Sequence, residues 1–113
     1  VAITMDLTAT ILAAAGSAGA AHKPDGIDLL PVLTGAVPEI PRELFWRVPN
    51  RGAPSIAVRS GRWKLIREPD RAMLFDLEAD PAEHHDLAAA HPELVRRLQR
   101  AEGDCHVEGR DRA

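Results

Sequence analysis

The stretch Ser55-Ile56-Ala57-Val58-Arg59-Ser60-Gly61-Arg62-Trp63-Lys64-Leu65-Ile66-Arg67 decides the fold. Ser55 to Arg59 and Arg62 to Arg67 are rich in β-branched, apolar and aromatic residues and read as two strands. Ser60-Gly61 between them supplies the positive φ that a tight hairpin turn demands. Trp63, Leu65 and Arg67 share one strand face, and Lys64 and Ile66 the other, so the alternation of apolar and polar residues is imperfect. A sheet covered on both faces explains that pattern.

Working outward, Glu43-Leu44-Phe45-Trp46-Arg47 has the aromatic content of a further strand, followed by the turn-forming run Pro49-Asn50-Arg51-Gly52-Ala53-Pro54. Downstream, Glu68 to Arg71 makes a turn and Met73 to Asp76 a last strand, which completes an antiparallel meander of about four strands. Pro92 to Ala101 reads as the closing amphipathic helix, with Leu94, Val95 and Leu98 inward and Arg96, Arg97, Gln99 and Arg100 wet. Pro92 suits its first position and Gly103 is expected to end it, leaving 104–113 as a flexible polar tail.

Before the sheet, Asp6 to Ala15 predicts a helix with Leu7, Ile11 and Leu12 on one stripe and Gly16 at its C-terminal stop. Only Asp6, Thr8 and Thr10 are polar, so this helix needs cover on most sides, more than a chain of 113 residues is expected to supply. Asp28 can cap a short helix over Leu29 to Thr34, ended by Gly35, with Pro31 in the first turn. The expected class is α+β, a small antiparallel sheet with a C-terminal helix, preceded by helices.

Hydrophobic residues at 45% and charged residues at 27% are ordinary globular usage, and no apolar run reaches the roughly 20 residues of a spanning helix. A net charge of -3 offers no basic field for a polyanion, so nucleic acid is not an expected partner. The single Cys105 excludes an internal disulfide. Val1 to Asp6 carries no basic n-region or cleavage site, and the chain is expected to continue a longer sequence upstream.

The densest acidic run, Asp76 to Asp86, invites a calcium-loop reading, but Pro81 and Leu87 stand where an EF-hand loop needs Gly and Glu. Asp80-Pro81 is better read as a cap and first-turn proline of one helical turn. His84, His85 and His91 lack a nearby Cys or a second close pair, which argues against zinc. Thr4, Ser17, Ser55 and Ser60 sit in no recognised nucleophile elbow. Trp46 is a core or sheet-covering residue or, alternatively, reaches a ligand cleft. Arg47, Asn50 and Arg51 beside it form a solvated loop or an anion contact built on two guanidinium groups.

Five segments in order resemble the C-terminal region of the sulfatase family, within the alkaline-phosphatase superfamily. Met5 to Leu12 with Ala15-Gly16 is similar to that family's Asp-Leu-x-Pro-Thr-Leu-Leu helix, and Asp25 to Gly35 to its Asp-Gly-x-Ser-Leu-Leu-Pro-Leu-Leu-x-Gly segment. Leu44-Phe45-Trp46, Ala57 to Ile66 and Leu74 to Glu83 with Asp86-Leu87-Ala88 continue the likeness. Ala9, Asp28 and Asp86 depart from the usual Pro, Ser and Asn.

The resemblance implies hydrolysis of sulfate esters by a formylglycine, made from Cys or Ser in a Cys/Ser-x-Pro/Ala-x-Arg motif, beside a calcium ion held by Asp and Asn. Cys105 is followed by His106-Val107-Glu108-Gly109, which does not satisfy that motif. The resemblance therefore implies that calcium and formylglycine belong to an upstream part, and that the chain alone is inactive. It further implies residues 1–35 as the end of a main domain, 36–103 as the C-terminal subdomain, and Trp46, Arg47, Asn50 and Arg51 as a border of the substrate cleft. Expected partners are the upstream catalytic domain and a sulfated small molecule or glycan. A stand-alone accessory module and a phosphate-ester hydrolase of the same superfamily are the alternatives.

Overall fold

The computed structural model describes residues 1–17, 24–49 and 52–110, with backbone alone for 104–110. Two compact units, Val1–Ile40 and Pro41–Ala113, divide the chain.

In the first unit, helix α1 spans Thr4–Ala14 and the short helix α2 spans Leu30–Leu33. The Leu7 and Ile11 side of α1, expected to need more cover than the chain supplies, is exposed, and the side turned inward is centred on a polar residue. Asp6 and Ala9 are buried, at 0% and 5% exposure, while Leu7 and Ile11 are 57% and 67% exposed. Hydrogen bonding is the reason. The Asp6 carboxylate accepts the Ile3 N–H at 2.8 Å, satisfying a donor at its own helix start, and the Ile27 N–H at 3.0 Å. One turn further on, the Thr10 hydroxyl donates to the Asp6 carbonyl at 2.7 Å and accepts the Leu29 N–H at 2.9 Å. Segment 26–29 is thereby tied along the polar side of α1, and the aliphatic stripe faces outward. Gly26 permits the approach, since a Cβ there would lie 2.2 Å from the Met5 carbonyl oxygen. The helix starts one residue later than expected, with Leu29 and not Asp28 at its N-cap and no side-chain cap bond there; Asp28 Oδ1 still accepts the Leu30 N–H at 3.0 Å, and Gly35 adopts φ 74° after α2.

The second unit is the expected meander. β1 (Glu43–Val48), β2 (Ser55–Ser60), β3 (Trp63–Arg67) and β4 (Ala72–Asp76) form one antiparallel sheet in the order β1-β2-β3-β4, followed by helix α3 (Pro92–Arg110). Gly61 takes φ 58° in the β2–β3 turn, as the hairpin requires. The register sets Phe45 opposite Val58, Val58 opposite Leu65 and Leu65 opposite Leu74. Those side chains share one sheet face; Val58, Leu65 and Leu74 with Leu98 of α3 make the core, flanked by Phe45, Trp63, Leu87, Leu94 and Val95.

Arg67 ties β3 to α3 through a two-pronged pair with Glu102, Nε to Oε2 being 2.8 Å. The outer edge of β4 is covered: Leu87 N–H donates to the Leu74 carbonyl at 2.8 Å, and Asp86 Oδ1 accepts the Leu74 N–H at 3.0 Å. α3 runs through Gly103 to Arg110 instead of stopping, so 104–110, expected as a flexible tail, continue the helix. A glycine only disfavours a helix interior by about 1 kcal/mol, and it needs a left-handed conformation to end one.

Candidate functional site

α3 occupies one face of the sheet; the opposite face carries a groove of about 610 Å³ lined by Trp46, Ala57, Arg59, Lys64, Leu77, Pro81 and Glu83. The strand register assembles it. Trp46 on β1 lies opposite Ala57 on β2, and Arg59 on β2 opposite Lys64 on β3. Residues two apart on a strand share a face, so Ala57 and Arg59 stand side by side. Ala57 is small, which leaves the Trp46 indole standing above the sheet at 40% exposure.

The far wall comes from the turn after β4. Asp76, 7% exposed, organises that turn: Arg62 Nε donates to its Oδ1 at 2.8 Å, a second guanidinium contact reaches Oδ2, and the Glu78 N–H donates to Oδ1 at 3.1 Å. The Arg62 hydrogen bond, with those of the Glu78 and Ala79 amides, holds the Asp76 carboxyl below its ordinary range against the opposing effect of burial. Arg62 is pushed up in return, chiefly by the same hydrogen bond.

Asp80, expected to cap a helical turn, does not do so. Its Oδ2 instead accepts the His85 N–H at 2.7 Å, five residues on, and this bond leads the effects that lower its carboxyl. The segment is a turn, and Glu83 adopts φ 59°, a conformation that breaks helical progression and is uncommon outside glycine. The Glu83 side chain then reaches Lys64, whose Nζ donates to Oε1 at 2.6 Å with both side chains partly buried. Arg59 Nε donates to the Gly61 carbonyl at 3.3 Å, and among the described residues no carboxylate pairs with Arg59.

The expected cleft residues separate. Trp46 lines the groove. Arg47, its neighbour on β1, projects to the other side because successive strand residues alternate. Asn50 and Arg51 lie outside the described residues. Arg59, Lys64 and Glu83, which the sequence reading did not single out, come from three separate segments, and only the strand register reveals that they meet.

Among the described residues no group of three or more His, Cys, Asp or Glu could hold a metal. His84 and His85 are exposed around Asp80, and His91 packs its ring 5.3 Å from that of Trp63. The letters Ser55-Ile56-Ala57-Val58-Arg59 satisfy the Ser-x-Ala-x-Arg pattern that Cys105 fails, a match the sequence reading passed over. They form β2, paired along both sides with β1 and β3, where Val58 is core and Arg59 lines the groove. Among the described residues no set of metal donors stands beside them.

No family model matches the chain. Choline-sulfatase from Rhizobium meliloti (strain 1021) is 36% identical over 87 residues, which are 74% of this chain and 17% of that protein. The crystal structure of Ps i-CgsB in complex with k-i-k-neocarrahexaose superposes with a TM-score of 0.74 at 23% identity, over 88% of this chain and 23% of that one. A Bacteroides thetaiotaomicron 6S-sulf protein from the metabolism of multiple glycosaminoglycans superposes with a TM-score of 0.66 at 26% identity, over 88% of this chain and 24% of that one. The chain belongs to the sulfatase family, as a C-terminal region. It spans about a sixth to a quarter of the length of these relatives. In this sulfatase region the sheet and closing helix are the shared architecture, and the groove lies on the sheet face that α3 leaves open.

Proposed function

We propose that this chain is the C-terminal part of a sulfuric ester hydrolase, serving as structure and as a border of the substrate cleft, without the catalytic centre. The observation that carries the reading is the match of most of this chain to only 17% of a choline-sulfatase and 23% of a structural neighbour. The calcium ion and the formylglycine belong, in this reading, to an upstream catalytic domain. The donors present here do not fit them, because the one Ser-x-Ala-x-Arg stretch is a paired strand with no metal-ligand cluster beside it among the described residues.

Physical support comes from α1 and α2. Met5, Leu7, Ile11 and Leu33 are 48%, 57%, 67% and 75% exposed, a concentration of aliphatic surface that hydrophobic burial favours covering. The upstream domain is the partner proposed for it, with 1–35 as the end of that domain and 36–103 as the C-terminal subdomain.

The substrate is a sulfated small molecule or glycan, and Trp46 borders its cleft. Kinetics on a full-length relative altered at the equivalent of Trp46 test this. A raised KM is expected, and unchanged kcat and KM remove the cleft-border role.

A further inference from the structure

We propose that the outer edge of β1 is an interface between two copies of this chain, joined antiparallel about a two-fold axis at Phe45 so that the two four-stranded sheets run on as one. This goes beyond the functional reading above and takes nothing from it.

The two edges of the sheet differ. β4 is covered along its outer side by the Leu87 amide and the Asp86 carboxylate, both bonded to Leu74. β1 is the other end of the strand order, and among the described residues no strand lies beyond it. An edge strand left to solvent usually carries a lysine, a proline or a bulge that blocks a further strand. Glu43–Val48 contains neither lysine nor proline, and it pairs with β2 residue for residue, without a bulge. It also holds Trp46 and Val48 at 40% and 57% exposure, apolar surface that hydrophobic burial favours covering.

Symmetry and charge select the occupant. In an antiparallel pair, hydrogen-bonded and non-bonded positions alternate, so two identical strands related by a two-fold axis must place one residue opposite its own copy. With Phe45 on the axis, Leu44 faces Trp46 of the second copy and Glu43 faces Arg47 of the second copy, each twice. Both acid–base pairs lie on one sheet face, since strand residues alternate between faces, and Glu43 and Arg47 are exposed. Moving the axis to Leu44 sets Glu43 opposite Phe45, and moving it to Trp46 sets Arg47 opposite Phe45; neither joins opposite charges. The six-residue strand is thus self-complementary in one register, which a strand of unrelated sequence has no reason to match.

Sedimentation equilibrium of the full 113-residue chain, from about 10 µM to about 1 mM, tests the assignment. A reversible monomer–dimer equilibrium is expected with a Kd of about 10–100 µM, because a strand-edge contact lies at the small end of specific interfaces. Glu43→Arg alone sets arginine opposite arginine twice, and Arg47→Glu alone sets glutamate opposite glutamate twice. Each should weaken the dimer about tenfold. Combining Glu43→Arg with Arg47→Glu restores both pairs and should return Kd to within about threefold of the unaltered chain. An equimolar mixture of the two single variants should recover in the same way as a heterodimer, since every charge then faces its opposite. Far-ultraviolet circular dichroism confirms that each variant keeps the fold.

A chain that stays monomeric at about 1 mM overturns the assignment, as does an assembly larger than a dimer. Association that survives both single changes belongs to another surface, such as the aliphatic side of α1, and overturns it too. So does failure of both the double variant and the mixture to recover. None of these readouts involves sulfate or ester cleavage, so their failure leaves the family assignment and the functional reading standing.

Discussion

Leu98→Ala probes the packing that makes the second unit a single body. Leu98 is 0% exposed on α3 and meets Val58, Leu65 and Leu74, themselves 1%, 0% and 0% exposed. Truncating a buried leucine removes its transfer free energy and leaves a cavity, at a combined cost of about 2–5 kcal/mol. The upper half of that range is expected, because three of the facing residues sit on a hydrogen-bonded sheet and cannot move in to fill the space.

For a domain of this size each kcal/mol lowers Tm by roughly 4–8 °C, so the melting point should fall by about 15–40 °C. Urea unfolding followed by far-ultraviolet circular dichroism, extrapolated linearly, gives the free energy directly. Val48→Ala, at a strand position 57% exposed, is the companion and should stay within about 0.5 kcal/mol. A cost for Leu98→Ala below about 1 kcal/mol, or equal to that of Val48→Ala, would refute α3 as the lid of this core.

Asp6→Ala should destabilise the first unit by about 1–3 kcal/mol, since it strands the Ile3 and Ile27 amides that the buried carboxylate accepts, and amide exchange at those two sites reads the loss. Gly26→Ala places a methyl 2.2 Å from the Met5 carbonyl and should speed protease cleavage within 24–29; an unchanged cleavage rate contradicts the close approach. Asp76 and Asp80 have depressed carboxyl pKa values in the fold, so their stabilising contribution is complete above the ordinary value of about 3.9 and is lost as pH falls through the folded values. Melting temperature should drop on acidification below about pH 4, and Asp76→Asn should flatten that limb of the curve.

The sheet was legible because its signals are local. Gly61 marks the turn, and alternation sets Val58, Leu65 and Leu74 on one face without reference to anything distant. Leu94, Val95 and Leu98 were legible for the same reason on a helical period. The burial of Asp6 was not, because hydrophobic periodicity gives no weight to a carboxylate that is worth more inside as an acceptor of two backbone amides than outside in water. Gly103 misled in the opposite way: glycine permits a helix stop but does not impose one.

At the candidate site Trp46 could be named from its aromatic strand, while Arg47 was grouped with it by adjacency in sequence and lies across the sheet by strand geometry. Arg59, Lys64 and Glu83 carried no shared spacing. Their meeting depends on a register and on the left-handed turn residue Glu83, and no glycine announces that conformation.

The most direct test of a sulfatase region without its own catalytic centre is a turnover assay of the purified full chain with a chromogenic aryl sulfate and added calcium, alongside Ser55→Ala. Both proteins should release product at the uncatalysed rate, with Ser55 unmodified by intact mass. Turnover that Ser55→Ala abolishes would contradict the account, because it would put the working nucleophile on β2.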